Sequence, residues 1–219
     1  MSKPENDREI AGQWITIENF KNYPALANSL TDLTGDHILG YVYIDHAAGL
    51  TLDIIKLFNR NDNKIEFTDT LRDKELRVII RHAQFSETSY QVVKADSFGD
   101  FELMKPSHLE SYDRDDLTNF RNDEILDSFR APGFPDDIQI LLIQDDEDSR
   151  PELVWGRIEK YTSSNHTGIC HLMVQPHQNF GINKNDELAF ALTELEDKMW
   201  LLGLIENSKV KDKPWWKIW

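Results

Sequence analysis

The segment Ala131-Pro132-Gly133-Phe134-Pro135-Asp136-Asp137 restricts the fold of this chain more than any other. Two prolines and a glycine within four residues neither continue a helix nor run through a central strand, because proline lacks the backbone donor and fixes its own φ. The expected organisation is therefore a boundary near Arg130, with residues 1–130 before it and 131–219 after it. A chain of 219 residues has room for one large or two small domains.

Before the boundary the pattern mixes helix and strand. Residues 38–44, Ile-Leu-Gly-Tyr-Val-Tyr-Ile, are rich in β-branched and aromatic side chains and predict a strand. From Thr51 to Phe58, Leu52, Ile55 and Leu57 or Phe58 recur at helical spacing, which predicts a helix capped by Thr51 or Asp53. The cluster Asn59-Arg60-Asn61-Asp62-Asn63 ends it, since short polar side chains compete for backbone hydrogen bonds. A strand begins at Ile65–Thr68, an amphipathic helix covers Tyr23–Leu33, and Leu76–Ala83 with Ser89–Phe98 form a strand pair joined around Phe85–Thr88. Residues 106–129 read as a connector with one or two short helices.

After the boundary the character becomes β. Ile138–Gln144, Leu153–Tyr161 and Gly168–Val174 are strands separated by polar loops, the first of them Asp145-Asp146-Glu147-Asp148-Ser149-Arg150-Pro151. Leu188, Phe190 and Leu192 alternate as a fourth strand, and Met199–Ile205 returns after the Glu196-Asp197-Lys198 turn. A helix is the rival reading of 187–205, because Leu188, Ala191, Leu192, Leu195 and Met199 also fit its spacing. The fold class expected is α+β, a mixed α/β N-terminal domain followed by a small β-barrel-like C-terminal domain.

Composition excludes several classes. With 40% hydrophobic residues and 11% aromatics the chain is too apolar to be disordered. The single Cys170 cannot build a disulfide framework, and the polar N-terminus has no apolar region typical of a signal peptide. No apolar run approaches the roughly 20 residues of a membrane-spanning helix. A cytoplasmic location is the default expectation. The net charge of −15 repels phosphate backbones and argues against nucleic acid as a partner. Only the tail is basic: Lys209, Lys211, Lys213 and Lys217 face one acid, Asp212, and share those eleven residues with Trp215, Trp216 and Trp219. Tryptophan beside lysine suits a protein anchor, a strap onto the chain's own barrel or weak contact with a membrane surface.

Few residues carry a chemical signature. His166, Cys170, His171 and His177 include the ligand types zinc prefers, but a strand sends Cys170 and His171 to opposite faces and no second cysteine completes a closed site. The same geometry disfavours Cys170 as a nucleophile served by His171, leaving a small buried hydrophobe as the better reading. The acidic groups Asp113-Asp115-Asp116 and Asp145–Asp148 lack the regular ligand spacing and glycine of an EF-hand loop. No nucleophile elbow, zinc helix, phosphate loop or dinucleotide fingerprint is present. No metal and no cofactor are expected.

The segment Gln175–Leu188 is compact by its turn chemistry: Gly181 and Asn185 tolerate positive φ, while Asn183 and Asp186 hydrogen-bond their own turns. With Pro135-Asp136-Asp137, Val154-Trp155-Gly156-Arg157, Gln178-Asn179-Phe180-Gly181 and Asn185-Asp186-Glu187, the C-terminal half resembles the C-terminal domain of bacterial families of unknown function. Their pattern is a Trp-x-Arg strand, a Gln-Asp-Phe-Gly turn and a Gly-Asp-Glu turn; here Asn179 and Asn185 stand where Asp and Gly are usual. The resemblance implies a small β-rich domain and no catalytic role, with Gln178–Glu187 as a fold-defining turn.

These observations point to a non-catalytic acidic protein that binds a basic protein partner, of an immunity-like or adaptor kind, with homo-oligomerisation left open. The residues proposed for binding are Trp155, Arg157, His177, Asn179, Asp186, Trp215, Trp216 and Trp219. The alternative is an enzyme or small-ligand protein with a site at the domain junction, drawing on His46, His177, Asp186 and Arg157.

Overall fold

The computed structural model describes residues 6–61, 64–68, 70–94, 97–98, 101–144 and 150–205. The chain is strand-rich with few helices. It divides into two compact units, Met1–Asp113 with Pro132–Pro135, and Arg114–Ala131 with Asp136–Trp219.

In the first unit, β1 (Trp14–Ile17), β2 (His37–Asp45), β3 (Gly49–Asn61), β4 (Lys64–Thr68), β5 (Val78–Arg81) and β6 (Tyr90–Val92) form one antiparallel sheet in the order β4-β3-β2-β1-β6, with β5 also on β3. Both faces of the sheet are covered, which is why β2 reads as a continuous apolar run. Ile38, Val42 and Ile44 enter one core with Phe20, Leu26 and Phe85, whereas Leu39, Tyr41 and Tyr43 enter another with Trp14, Phe98 and Leu109.

The predicted helix over Thr51–Phe58 is instead the middle of β3. A bulge explains the misleading spacing: Leu39 pairs with Lys56 and Gly40 with Ile54, so Ile55 is an extra residue and the buried set becomes Leu52, Ile54 and Leu57. One inserted residue broke the strict alternation by which strands are recognised. Gly40 sits at this irregularity because a Cβ there would lie 2.6 Å from the Asp53 carbonyl oxygen. The helix expected over Tyr23–Leu33 is α1, Pro24–Ser29. The two strands expected to pair around Phe85–Thr88 do not meet: β5 joins β3 and β6 joins β1, with a helical turn at His82–Phe85 between them.

The Pro-Gly segment lies against the β2–β3 turn. The Leu50 N–H donates to the Gly133 carbonyl (2.8 Å) and the Gly133 N–H to Asp7 Oδ2 (2.8 Å). Gly49, at φ +77°, has no Cβ to strike that carbonyl, which would be 2.3 Å away. Proline is tolerated here because Pro135 occupies the second residue of a strand rather than its middle.

In the second unit, β7 (Arg130–Ala131) leads into β8 (Phe134–Leu142), β9 (Glu152–Thr162), β10 (Thr167–Leu172), β11 (Glu187–Leu195) and β12 (Lys198–Leu204). Successive strands are antiparallel, and β12 closes on β8 through a parallel pairing of Leu202 with Leu141, making a closed five-stranded barrel. Residues 187–205 are thus a hairpin, its reversal made by Glu196 and Asp197 at φ +50° and +61°. Two consecutive positive φ values match the twist of the flanking strands. Ile138, Ile140, Leu142, Val154, Ile158, Cys170, Leu172, Leu188, Phe190 and Leu201 fill the barrel. Among the described residues no helix is long and apolar enough to cross a membrane.

Candidate functional site

The loop Gln175–Glu187 holds itself together. Asn179 Oδ1 accepts from the Gly181 N–H (3.1 Å), Asp186 Oδ2 from the Asn183 N–H (2.7 Å) and Gln175 Oε1 from the Lys184 N–H (3.1 Å). Gly181 and Asn185 take positive φ, +75° and +73°. Glu152 anchors the base of the loop by accepting from the N–H groups of His177 (2.7 Å) and Gln178 (3.1 Å). Burial works to raise the Glu152 pKa, but these donors outweigh it and hold the carboxyl below its ordinary value. Asn179 and Asp186 therefore spend an oxygen on their own turns, while the His177 side chain is exposed.

On the barrel's outer surface Arg157 forks onto Asp137, Nε to Oδ1 at 2.7 Å and Nη2 to Oδ2 at 2.9 Å. Next to this pair the surface is apolar. Outward positions of β9, β8 and β12 align across strands, Trp155 opposite Gln139, and Leu153, Leu141 and Leu202 in one row. Leu153 and Leu204 are 45% and 50% exposed and Ile143 is exposed beyond the end of β8, whereas Leu141 in the middle of the row is buried and Leu202 half-buried. Trp155 belongs to this face and is half-buried. The acidic loop 145–148 and Trp215, Trp216 and Trp219 lie outside the described residues.

The four residues of the ligand types zinc prefers, His166, Cys170, His171 and His177, scatter. Cys170 is inside the barrel, His171 meets the Asn185 carbonyl outside it, His177 is exposed, and His166 joins Tyr161 and Asp123. Among the described residues no group of three or more His, Cys, Asp or Glu is arranged to hold a metal ion. Burial pushes the Cys170 thiol up to about 12, and its Sγ–H donates to the Leu188 carbonyl (3.5 Å). At mildly alkaline pH its thiolate fraction is lower than that of a free cysteine by roughly a thousandfold. Iodoacetamide is thus expected to leave Cys170 unmodified in the native protein and to alkylate it fully in denaturant. Rapid native labelling, read by intact mass, would show the barrel to open readily.

The Asp123 cluster of the second unit is self-contained. Tyr161 Oη donates to Asp123 Oδ2 (2.6 Å), and His166 Nδ1 stands 2.7 Å from the hydroxyl and 3.0 Å from the carboxylate. Burial raises the Asp123 pKa, but the tyrosine hydroxyl, the Ile125 N–H and His166 together bring it below its usual value. Burial, then the adjacent carboxylate, drive the Tyr161 pKa upward.

A different arrangement occupies the first unit. Asp53, read from sequence as a helix cap, projects from β3 with only 1% of its side chain exposed. Its Oδ2 lies 2.5 Å from His108 Nε2 and its Oδ1 accepts from Arg77 Nε (3.3 Å). Arg77 precedes β5, and His108 sits in the helical turn Ser107–Tyr112. These two side chains remain 46% and 47% exposed. Beside them the Tyr43 hydroxyl is buried without a hydrogen bond of normal geometry among the described residues, its ring 4.6 Å from that of Tyr112, the side chain it interacts with. Burial raises the Tyr43 pKa and Tyr112 adds to the effect; Arg77 and Asp53 are near enough to act on it in opposite directions. Farther along the same sheet, Arg81 bonds Asp45 (3.0 Å) and Thr51 (2.6 Å). Sequence reasoning missed this group because its members come from three places in the chain and the helix assigned to 51–58 hid the face that Asp53 shares with Tyr43. Comparison with known proteins adds no identity: no family model, no curated protein and no solved structure matches this chain.

Proposed function

We propose that this is a non-catalytic binding protein of the bacterial cytoplasm that engages a basic protein partner through the outer face of its barrel. The observation carrying this reading is the apolar row Leu153, Leu141 and Leu202, with Trp155, Ile143 and Leu204 around it, on a protein of net charge −15. Interfaces combine an apolar centre depleted of charge with a polar surround, and the exposed Leu153 and Leu204 beside the half-buried Trp155 have that composition. The acidic surface would speed encounter with a basic partner and disfavour acidic ones. The likeness of the Gln178–Glu187 turn to bacterial families of unknown function belongs to this reading, supported by a loop whose polar groups serve its own geometry.

The experiment is capture from native lysate at low and high salt, with the wild type and a Leu153→Asp, Leu204→Asp variant. The expected result is a basic partner retained at low salt, weakened by high salt, and bound at least about tenfold more weakly by the variant. Absence of any salt-sensitive partner, or a partner indifferent to the variant, refutes the proposal. Both leucines are exposed, so the barrel interior is untouched by the change.

A further inference from the structure

The geometry points to a receptor site for the phosphate group of a small phosphomonoester, built by Arg77 and His108 on the buried carboxylate of Asp53. The starting point is the burial of Asp53. A carboxylate that is 1% exposed in the middle of a sheet bears a large desolvation cost, and an apolar side chain would hold the adjoining segments at least as well. Its presence there calls for a role beyond packing.

What the carboxylate does is hold two cationic or proton-bearing groups side by side. One oxygen takes Arg77 Nε and the other takes His108 Nε2. Each partner uses only its inner nitrogen in this contact. The terminal guanidinium nitrogens of Arg77 and Nδ1 of His108 are left on side chains that are nearly half exposed. A planar fork next to an imidazole suits a tetrahedral oxyanion: arginine supplies two parallel bonds, and the imidazole a third, donated when the ring is charged or accepted from a protonated phosphate oxygen when it is neutral. Asp53 fixes both and so removes much of the ordering cost a ligand would otherwise meet. It also keeps the proton of His108 Nε2 on the inner side, so the outer nitrogen bears a proton only when the imidazole is charged.

The second observation is Tyr43. Its hydroxyl is buried, interacts with Tyr112 without a hydrogen bond of normal geometry, and lies within the electrostatic reach of Asp53 and Arg77. A ligand oxygen at this site would give that buried hydroxyl a well-formed hydrogen bond. The adjacent Tyr112 ring offers an apolar wall for the organic part of an ester. This site is independent of the barrel face and of the partner proposed for it.

The test is titration of the full chain with phenyl phosphate, inorganic phosphate and acetate at constant ionic strength near neutral pH, following the His108 imidazole resonances by NMR. Saturable shifts at His108 with both phosphates are expected, with acetate weaker by about tenfold or more. Tighter binding of phenyl phosphate would identify an ester as the natural form; equal binding would identify free phosphate. Arg77→Gln is expected to weaken phosphate binding at least about tenfold while leaving the rest of the spectrum in place. Arg60→Gln, which removes an exposed pair with Glu18, is expected to change nothing. His108→Gln, followed through Tyr112, should weaken binding as well. Shifts that never saturate, saturation that survives Arg77→Gln, or acetate binding as tightly as phosphate would each overturn the assignment.

Discussion

Replacing Arg121 with alanine is expected to destabilise the second unit by about 3–5 kcal/mol. Arg121 ends the helical turn Thr118–Arg121 and forks onto Asp136 at the start of β8, Nε to Oδ1 at 2.9 Å and Nη2 to Oδ2 at 2.7 Å. The carboxylate side chain is 3% exposed and the guanidinium 17%. Removing the cation takes the two-bond fork away from a carboxylate that is only 3% exposed, and water cannot replace it without opening the packing. Denaturant unfolding with a two-state fit would measure the loss. Arg121→Lys should lose less, since it keeps the charge but not the fork. The joint change Arg121→Met with Asp136→Leu should recover part of the loss, because neither charge is then stranded. A cost below about 1 kcal/mol for the alanine variant would mean that the pair behaves as a surface bridge.

The second large effect belongs to Phe190. Its ring is fully buried inside the barrel and lies over Gly168, with which it is paired across β10 and β11. A Cβ on Gly168 would stand 2.5 Å from the ring and 2.5 Å from the Lys160 carbonyl oxygen. Five strands enclose too little space for a side chain at every inward position, so glycines stand opposite inward side chains: Gly156 faces Cys170 and Ile140, and Gly203 faces Leu142 and Leu188. Phe190→Ala is expected to cost about 3–5 kcal/mol through lost burial and the cavity left behind. Gly168→Ala should also destabilise the unit, by about 1–3 kcal/mol, because the carbonyl it meets belongs to a hydrogen-bonded strand. Combining the two should not restore stability, since the backbone clash persists when the ring is gone. Full rescue by the double variant, measured in the same unfolding experiment, would contradict this account of the packing.

Both effects arise where the sequence was readable to very different degrees. The strands of the barrel were legible because each alternates or runs apolar between turns rich in Gly, Asn and Asp. The hairpin turn at Glu196 and Asp197 rules out the helical rival at 187–205, since positive φ at both residues belongs to a reversal and not to a helix. Gly181 and Asn185 were legible for the same reason, as residues with little penalty for left-handed backbone. In the first unit the apolar spacing of Leu52, Ile55 and Phe58 looked helical because a bulge at Ile55 shifts the alternation by one. A bulge has no signature in the residues it displaces; it is set by how the neighbouring strand pairs.

The ion pairs were less legible still. Asp136 and Asp137 are adjacent in sequence, yet alternation sends them to opposite sides of β8, where one finds Arg121 and the other Arg157. Nothing local distinguishes a buried aspartate from a solvated one. Asp53 shows this most sharply, for its partners are 24 and 55 residues away along the chain.

What the sequence determined by itself was local: the positions of turns, the apolar strands of the second unit, the absence of a disulfide framework and the acidic surface. These follow from backbone preferences and side-chain chemistry that act within a few residues. Only the tertiary structure decided that β12 returns to β8 and closes a barrel, that β5 and β6 part to different neighbours, and that Asp53, Arg77 and His108 converge. Those outcomes depend on which distant surfaces exclude water together, a property of the whole packed chain rather than of any segment in it.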